Sequence, residues 1–156
     1  MADYDSKSTT KVVAAITPAV LAADNTPAAI DCLDFKSALV CTHVGVGGIT
    51  FDATNKVEFK LTHCDESAGT YTAVEAADVV MPYGETLGLG GIIRSLIAAK
   101  AAADTEVHGV GYIGKKRYLK LLADFSGTHG TGTAIAASVV LGHPMHAPIP
   151  QSSFEV

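Results

Sequence analysis

The sequence predicts an all-β fold: a single-domain β-sandwich with at most one short helix and extended arms at both ends. Three observations carry this. Residues 56–63, KVEFKLTH, alternate strictly, with Val57, Phe59, Leu61 and His63 on one face and Lys56, Glu58, Lys60 and Thr62 on the other. That period of two belongs to a half-buried strand. Short β-branched apolar runs recur along the chain, separated by Gly-rich or acidic turns. Finally, RYLKLLADF alternates again, and AIAASVVLG is apolar on both faces, as a central strand is.

Taken in order, residues 1–10, MADYDSKSTT, are polar and patternless and read as an N-terminal arm. KVVAAITPAVL is a strand that Pro18 confines to a sheet edge or a strand end, because proline has no N–H for a second neighbour. AAIDCLDF and SALVCTHVGV follow, and DESAGT after the alternating strand supplies the acids and glycine of a turn. GETLGLGG reads as a glycine-rich loop. Over residues 92–103, Ala, Leu and Lys favour a short helix, while IIRSLIAA also fits a strand; the helix is the expectation. TEVHGVGYI and RYLKLLADF read as strands, and SGTHGTGT between RYLKLLADF and AIAASVVLG as a mobile, hairpin-type loop. The domain is then 11–142, and residues 143–156, with three prolines within 144–150, form an extended C-terminal arm.

Composition narrows the function. Only 17% of the 156 residues are charged and 48% are hydrophobic, with a mean hydropathy of +0.30. A soluble domain carries about 25% charge. So little charge implies a surface rich in Ala, Gly and Thr, partly buried against other subunits. The net charge of −5 argues against nucleic acid, whose phosphates demand a basic excess. The cluster Lys115, Lys116, Arg117 and Lys120 reads as a charged turn leading into a half-solvated strand. Three cysteines without a C-x-x-C pair fit a reducing compartment. Asp3, Asp5 and Pro18 do not suit a signal peptide, no apolar run reaches the ~18 residues of a membrane span, and a cytoplasmic product is expected.

Gly109, Gly111 and Gly114 have dinucleotide-fingerprint spacing, but they lead into KKRYLKLLADF, a strand where the pyrophosphate needs a helix N-terminus. His143 and His146 form H-x-x-H on a proline-rich tail that offers no rigid set of metal ligands. His63 and Cys64 point to opposite faces, and His63 fits a hydrogen-bonded core position. Cys41 and His43 share a face without a third ligand. Asp124, Ser126 and His129 cluster on one loop rather than on the separate elements a triad uses. No catalytic residue, metal or cofactor is expected, and the chain reads as a non-enzyme.

GYIGKKRYLKLLADFSGTHGTGT followed by VVLGHPMHAPI resembles small proteins encoded in the head gene clusters of tailed bacteriophages and prophages. ITPAVLAADNTPAAIDCLDFKSALV and KVEFKLTHCDESAGTYTAV match the same pattern, so the resemblance spans roughly residues 12–149. It implies a capsid decoration, or cement, protein, made in the host cytoplasm and carried on the exterior of the virion. The implied partner is the major capsid protein, with a homo-oligomer, a trimer by preference, and no nucleic acid, membrane or small-molecule substrate. Intersubunit contacts are expected at Tyr112, Arg117, Tyr118, His143, Pro144, His146, Pro148 and Ile149, since Tyr and Arg anchor interfaces and arms reach neighbours. A neck or tail-tube component, or a carbohydrate-binding sandwich on the virion surface, are the alternative readings.

Overall fold

The computed structural model describes residues 5–47, 49–97 and 106–149. Its elements are β1 (Lys11–Leu21), β2 (Ile30–Asp31), β3 (Phe35–Gly47), β4 (Lys56–Cys64), β5 (Thr72–Ala73), a 3-10 turn at Ala76–Asp78, β6 (Val79–Val80), β7 (Ile92–Leu96), β8 (Glu106–Tyr112), β9 (Tyr118–Ser126) and β10 (Thr133–Pro144). One sheet has the order β1-β10-β3-β8-β6. The other runs β2-β9-β4-β5, with β7 also on β4. Every pairing is antiparallel. The two sheets pack into a β-sandwich, the predicted fold class.

Alternation sets the core. Val40, Val110, Val139 and Leu141 from the first sheet meet Val57, Phe59, Leu61, Leu119 and Leu121 from the second, all essentially without solvent contact. The strand predicted at residues 56–63 is β4, buried at every second position. β10 is central as expected, held between β1 and β3. β1 is an edge strand, and its register shifts on both sides of Ile16, just before Pro18. Proline, bulges and the terminal Lys11 together make that edge a poor template for a further strand. The free edge of β9 is occupied by side chains of the segment before β2. Asn25 accepts from the Ala123 N–H at 2.7 Å and donates to the Leu121 carbonyl at 3.2 Å, while Asp24 accepts from the Phe125 N–H at 2.7 Å.

Three expectations are corrected. Residues 92–96 are strand β7 rather than the start of a helix: Ile93 and Leu96 enter the core, and the strand pairs with β4 from Val57 to Lys60. Tertiary burial outweighs the helix propensity of the Ala- and Lys-rich stretch, whose residues 98–103 lie outside the described ones. SGTHGTGT is not a hairpin loop, because β9 and β10 belong to different sheets and the loop crosses between them. Nor is it a mobile polar turn. His129 is buried, stacked edge-on to Phe125 with ring centroids 4.7 Å apart, and its Nε2 lies 2.8 Å from the Ser126 carbonyl.

The described parts of the two arms meet each other. Asp5 accepts hydrogen bonds from the N–H groups of Lys7 and Ser8, and the Ile149 N–H donates to the Ser8 carbonyl at 3.1 Å. Ile149 is buried there. β10 continues through Pro144, opposite Phe35 of β3.

Candidate interaction surface

The two sheets turn very different outer faces to their surroundings. On the second sheet the outward positions of β4 and β9 are Lys56, Glu58, Lys60, Thr62 and Cys64, and Tyr118, Lys120, Leu122, Asp124 and Ser126. They neutralise one another locally. Lys56 pairs with Glu58 at 2.8 Å, Lys60 pairs with Asp124, and the Lys120 ammonium sits 4.2 Å from the centre of the Tyr71 ring. The Asp124 carboxylate stabilises the Lys60 cation and raises its pKa above the usual lysine value. This is an ordinary solvated face.

Among the described residues the first sheet has no such cover. Because Val40, Val110 and Val139 point inward, their neighbours point out. The register then writes out the face row by row. Val12, Val140, Leu39, Gly111 and Val80 lie side by side across all five strands. The next row is Ala14, Ser138, Cys41 and Gly109. Beyond it come Ala136, His43 and Val107, then Val20 beside Ala134. None of these side chains carries a permanent charge. Val12 is 66% exposed, Val107 67%, Val80 55% and Leu39 43%. A contiguous apolar sheet face of this extent is rare on a protein that works alone.

The face is not flat. At one end Ala134, Ala136 and Gly45 floor a depression flanked by Val20 and Val107. At the other, Leu39 and Val140 stand beside Gly111 and Gly142. Gly111 lacks the Cβ that would sit 3.3 Å from Val80, so the sheet stays low between Leu39 and Val80.

The residues expected at interfaces fall in three places. Arg117 and Tyr118 belong to the second sheet's end: Arg117 grips Asp31 through two hydrogen bonds of 2.8 and 2.7 Å, and its guanidinium lies 4.8 Å from the Tyr118 ring centre. That contact holds the Asp31 carboxyl below the usual carboxylate range. Lys116 pairs with Asp65, completing a charged turn with local partners. Tyr112 is a core residue, not a surface anchor. Its side chain is buried, and its hydroxyl is bound to His63 Nδ1 at 3.0 Å and accepts from the Lys116 N–H at 3.1 Å. Burial pushes its pKa up to about 12. His143, Pro144, His146, Pro148 and Ile149 gather at one end of the first sheet. There His143 Nδ1 is 2.8 Å from the Ser37 hydroxyl, and the Met145 N–H donates to Asp34 at 2.7 Å. His146, Pro148 and Ile149 border a groove with Lys11, Leu33 and Phe35.

Sequence reasoning passed over the apolar face itself. Its signal was the doubly apolar pattern of AIAASVVLG, which reads equally well as burial inside one chain and as burial between chains.

Gly109 and Gly111 sit inside β8, and Gly114 lies in a loop that enters β9, so no helix N-terminus faces these glycines. Among the described residues no group of three or more His, Cys, Asp or Glu side chains is placed to hold a metal ion. Burial raises the Cys32 thiol to about 11 and moves Cys41 upward as well, so neither is an activated nucleophile. No protein-family model, curated protein or solved structure matches the chain.

Proposed function

We propose that this chain is a structural virion protein, a decoration or cement protein that binds the outside of a phage head and stabilises it. The observation that carries the reading is the unequal treatment of the two sheets: one outer face ion-paired for water, the other mostly apolar and without a permanent charge across its full width. A face of that kind is suited to protein, and its work is adhesion rather than catalysis. The resemblance to head-cluster proteins supplies the partner, the major capsid protein. Clamping a shell through many identical copies multiplies modest contacts, which suits a small symmetric oligomer. A net charge of −5 is tolerable on the outside of a head, away from packaged DNA.

The test is to mix the purified protein with undecorated heads of the phage or prophage that encodes it. Saturable binding, with heads that then resist heat or low salt, is the expected result. Absence of saturable binding overturns the proposal, as does micrograph density confined to one vertex or the tail.

A further inference from the structure

We infer that the apolar face of the β1-β10-β3-β8-β6 sheet is self-complementary, and that its occupant is the same face of a second copy, related by a two-fold axis along the Ala14–Ser138–Cys41–Gly109 row. The inference deepens the adhesive reading above and rests on it: the apolar face joins two copies, and the pair meets the shell through the surface that remains.

Area comes first. The four rows hold five, four, three and two residues, and at about 4.8 Å across and about 6.8 Å along the strands for each outward residue they cover roughly 450 Å² per copy. A standard stable interface buries about 800 Å² per partner, so the face supplies the apolar centre of such an interface and the surrounding rim supplies the remainder. Charge agrees with area. Each copy carries −5, yet the face contributes no carboxylate or ammonium group, so two copies meet on it without like charges opposed. A partner recognised by charge would find nothing there to pair with.

Shape agrees as well. Rotation about the middle row lays the Val140 row of one copy on the Ala136 row of the other. Val140 then meets Ala136, Leu39 meets His43, and Gly111 meets Val107, so large side chains oppose small ones at two of these three crossings. Val140 thereby stands over Ala136 in the depression that Ala134 and Gly45 also floor. On the axis itself every residue is small, which lets the sheets approach the ~10 Å of sandwich packing. The edge of β1 offers no competing route, since Pro18 and its bulges disfavour strand addition. A single continuous face also favours an isologous pair over a three-fold ring, which needs two different patches.

The experiment uses the full chain alone and with heads. Light scattering after gel filtration is expected to give twice the 16.0 kDa chain mass. Leu39→Glu, a change at an exposed position, is expected to give a folded monomer with unaltered far-UV dichroism and at least a tenfold loss of association. In a Cys32→Ser/Cys64→Ser background, a short bis-maleimide is expected to link Cys41 to Cys41 across the axis. A monomeric wild-type chain, a trimer, or a dimer that ignores Leu39→Glu and leaves Cys41 unlinked overturns the inference. Failure of this inference and failure of the decoration role look different. A monomer whose head binding is lost in Leu39→Glu retains the decoration role and assigns the face to the shell. A Leu39-dependent dimer that never binds heads supports this inference and removes the decoration role.

Discussion

The hydroxyl of Tyr112 on β8 lies 3.0 Å from Nδ1 of His63 on β4, so one hydrogen bond joins the two sheets through the core. The rings meet edge-on at 5.9 Å, and His63 Nε2 approaches Asp78 at 3.9 Å. Asp78 in turn accepts the N–H groups of Ile113 and Gly114 through its carbonyl. The pair therefore fixes the start of the loop that carries Lys116 and Arg117. Tyr112→Phe keeps the packing but strands His63 Nδ1 and the Lys116 N–H. Leaving buried polar groups unpaired costs about 1–3 kcal/mol, to be read as a lower urea midpoint at unchanged slope.

Two leucines separate core from surface. Leu121 is 1% exposed and its truncation to Ala leaves a cavity, with an expected loss of about 2–5 kcal/mol. Leu39 is 43% exposed, and Leu39→Ala is expected to change single-chain stability by less than about 0.5 kcal/mol. Denaturation at concentrations low enough to dissociate oligomers checks the contrast. Equal losses at both positions refute the exposure of the apolar face in a single chain.

Two adjacent glycines form a similar contrast. Gly90 and Gly91 both have positive φ, 77° and 79°. A Cβ on Gly90 meets nothing within 4 Å, whereas one on Gly91 would lie 2.5 Å from the Leu61 carbonyl oxygen. Gly90→Ala is expected to cost only the left-handed backbone penalty of about 1–2 kcal/mol. Gly91→Ala adds a clash with β4 backbone and should exceed it by at least about 1 kcal/mol, measured as the difference in unfolding free energy.

The Asp31–Arg117 contact predicts a loss on the acid side. Asp31 has a lower pKa folded than unfolded, because Arg117 hydrogen-bonds the carboxylate. Its contribution is thus complete above the unfolded value, near 4, and is lost as pH falls through the folded one. Asp31→Asn should match the wild type near pH 2.5 and lower the melting temperature at pH 7 by the same small amount by which it flattens the decline between pH 5 and about 2.5, since the pair is exposed. A variant as acid-sensitive as the wild type would place the acid-labile groups elsewhere.

Much of this architecture is written locally. Strict alternation from Lys56 to His63 leaves β4 no other conformation that buries Phe59 and Leu61 while solvating Lys60. Pro18 restricts β1 to an edge through its missing N–H, and His63 on the apolar face of its strand demanded a hydrogen-bond partner. The sequence alone therefore determined a two-sheet fold and its central strand. Other features depend on residues distant in the chain. Residues 92–96 became a strand because β4 offered a pairing edge, and the loop at His129 packed because Phe51 and Phe125 converge on it. Above all, a doubly apolar β10 states that both its faces avoid water, not what covers each one. Only the tertiary arrangement, with the second sheet on one side of β10 and nothing of this chain among the described residues on the other, decided which face was left open. A strand's pattern encodes its burial, whereas the partner that provides it is a matter of three-dimensional neighbours.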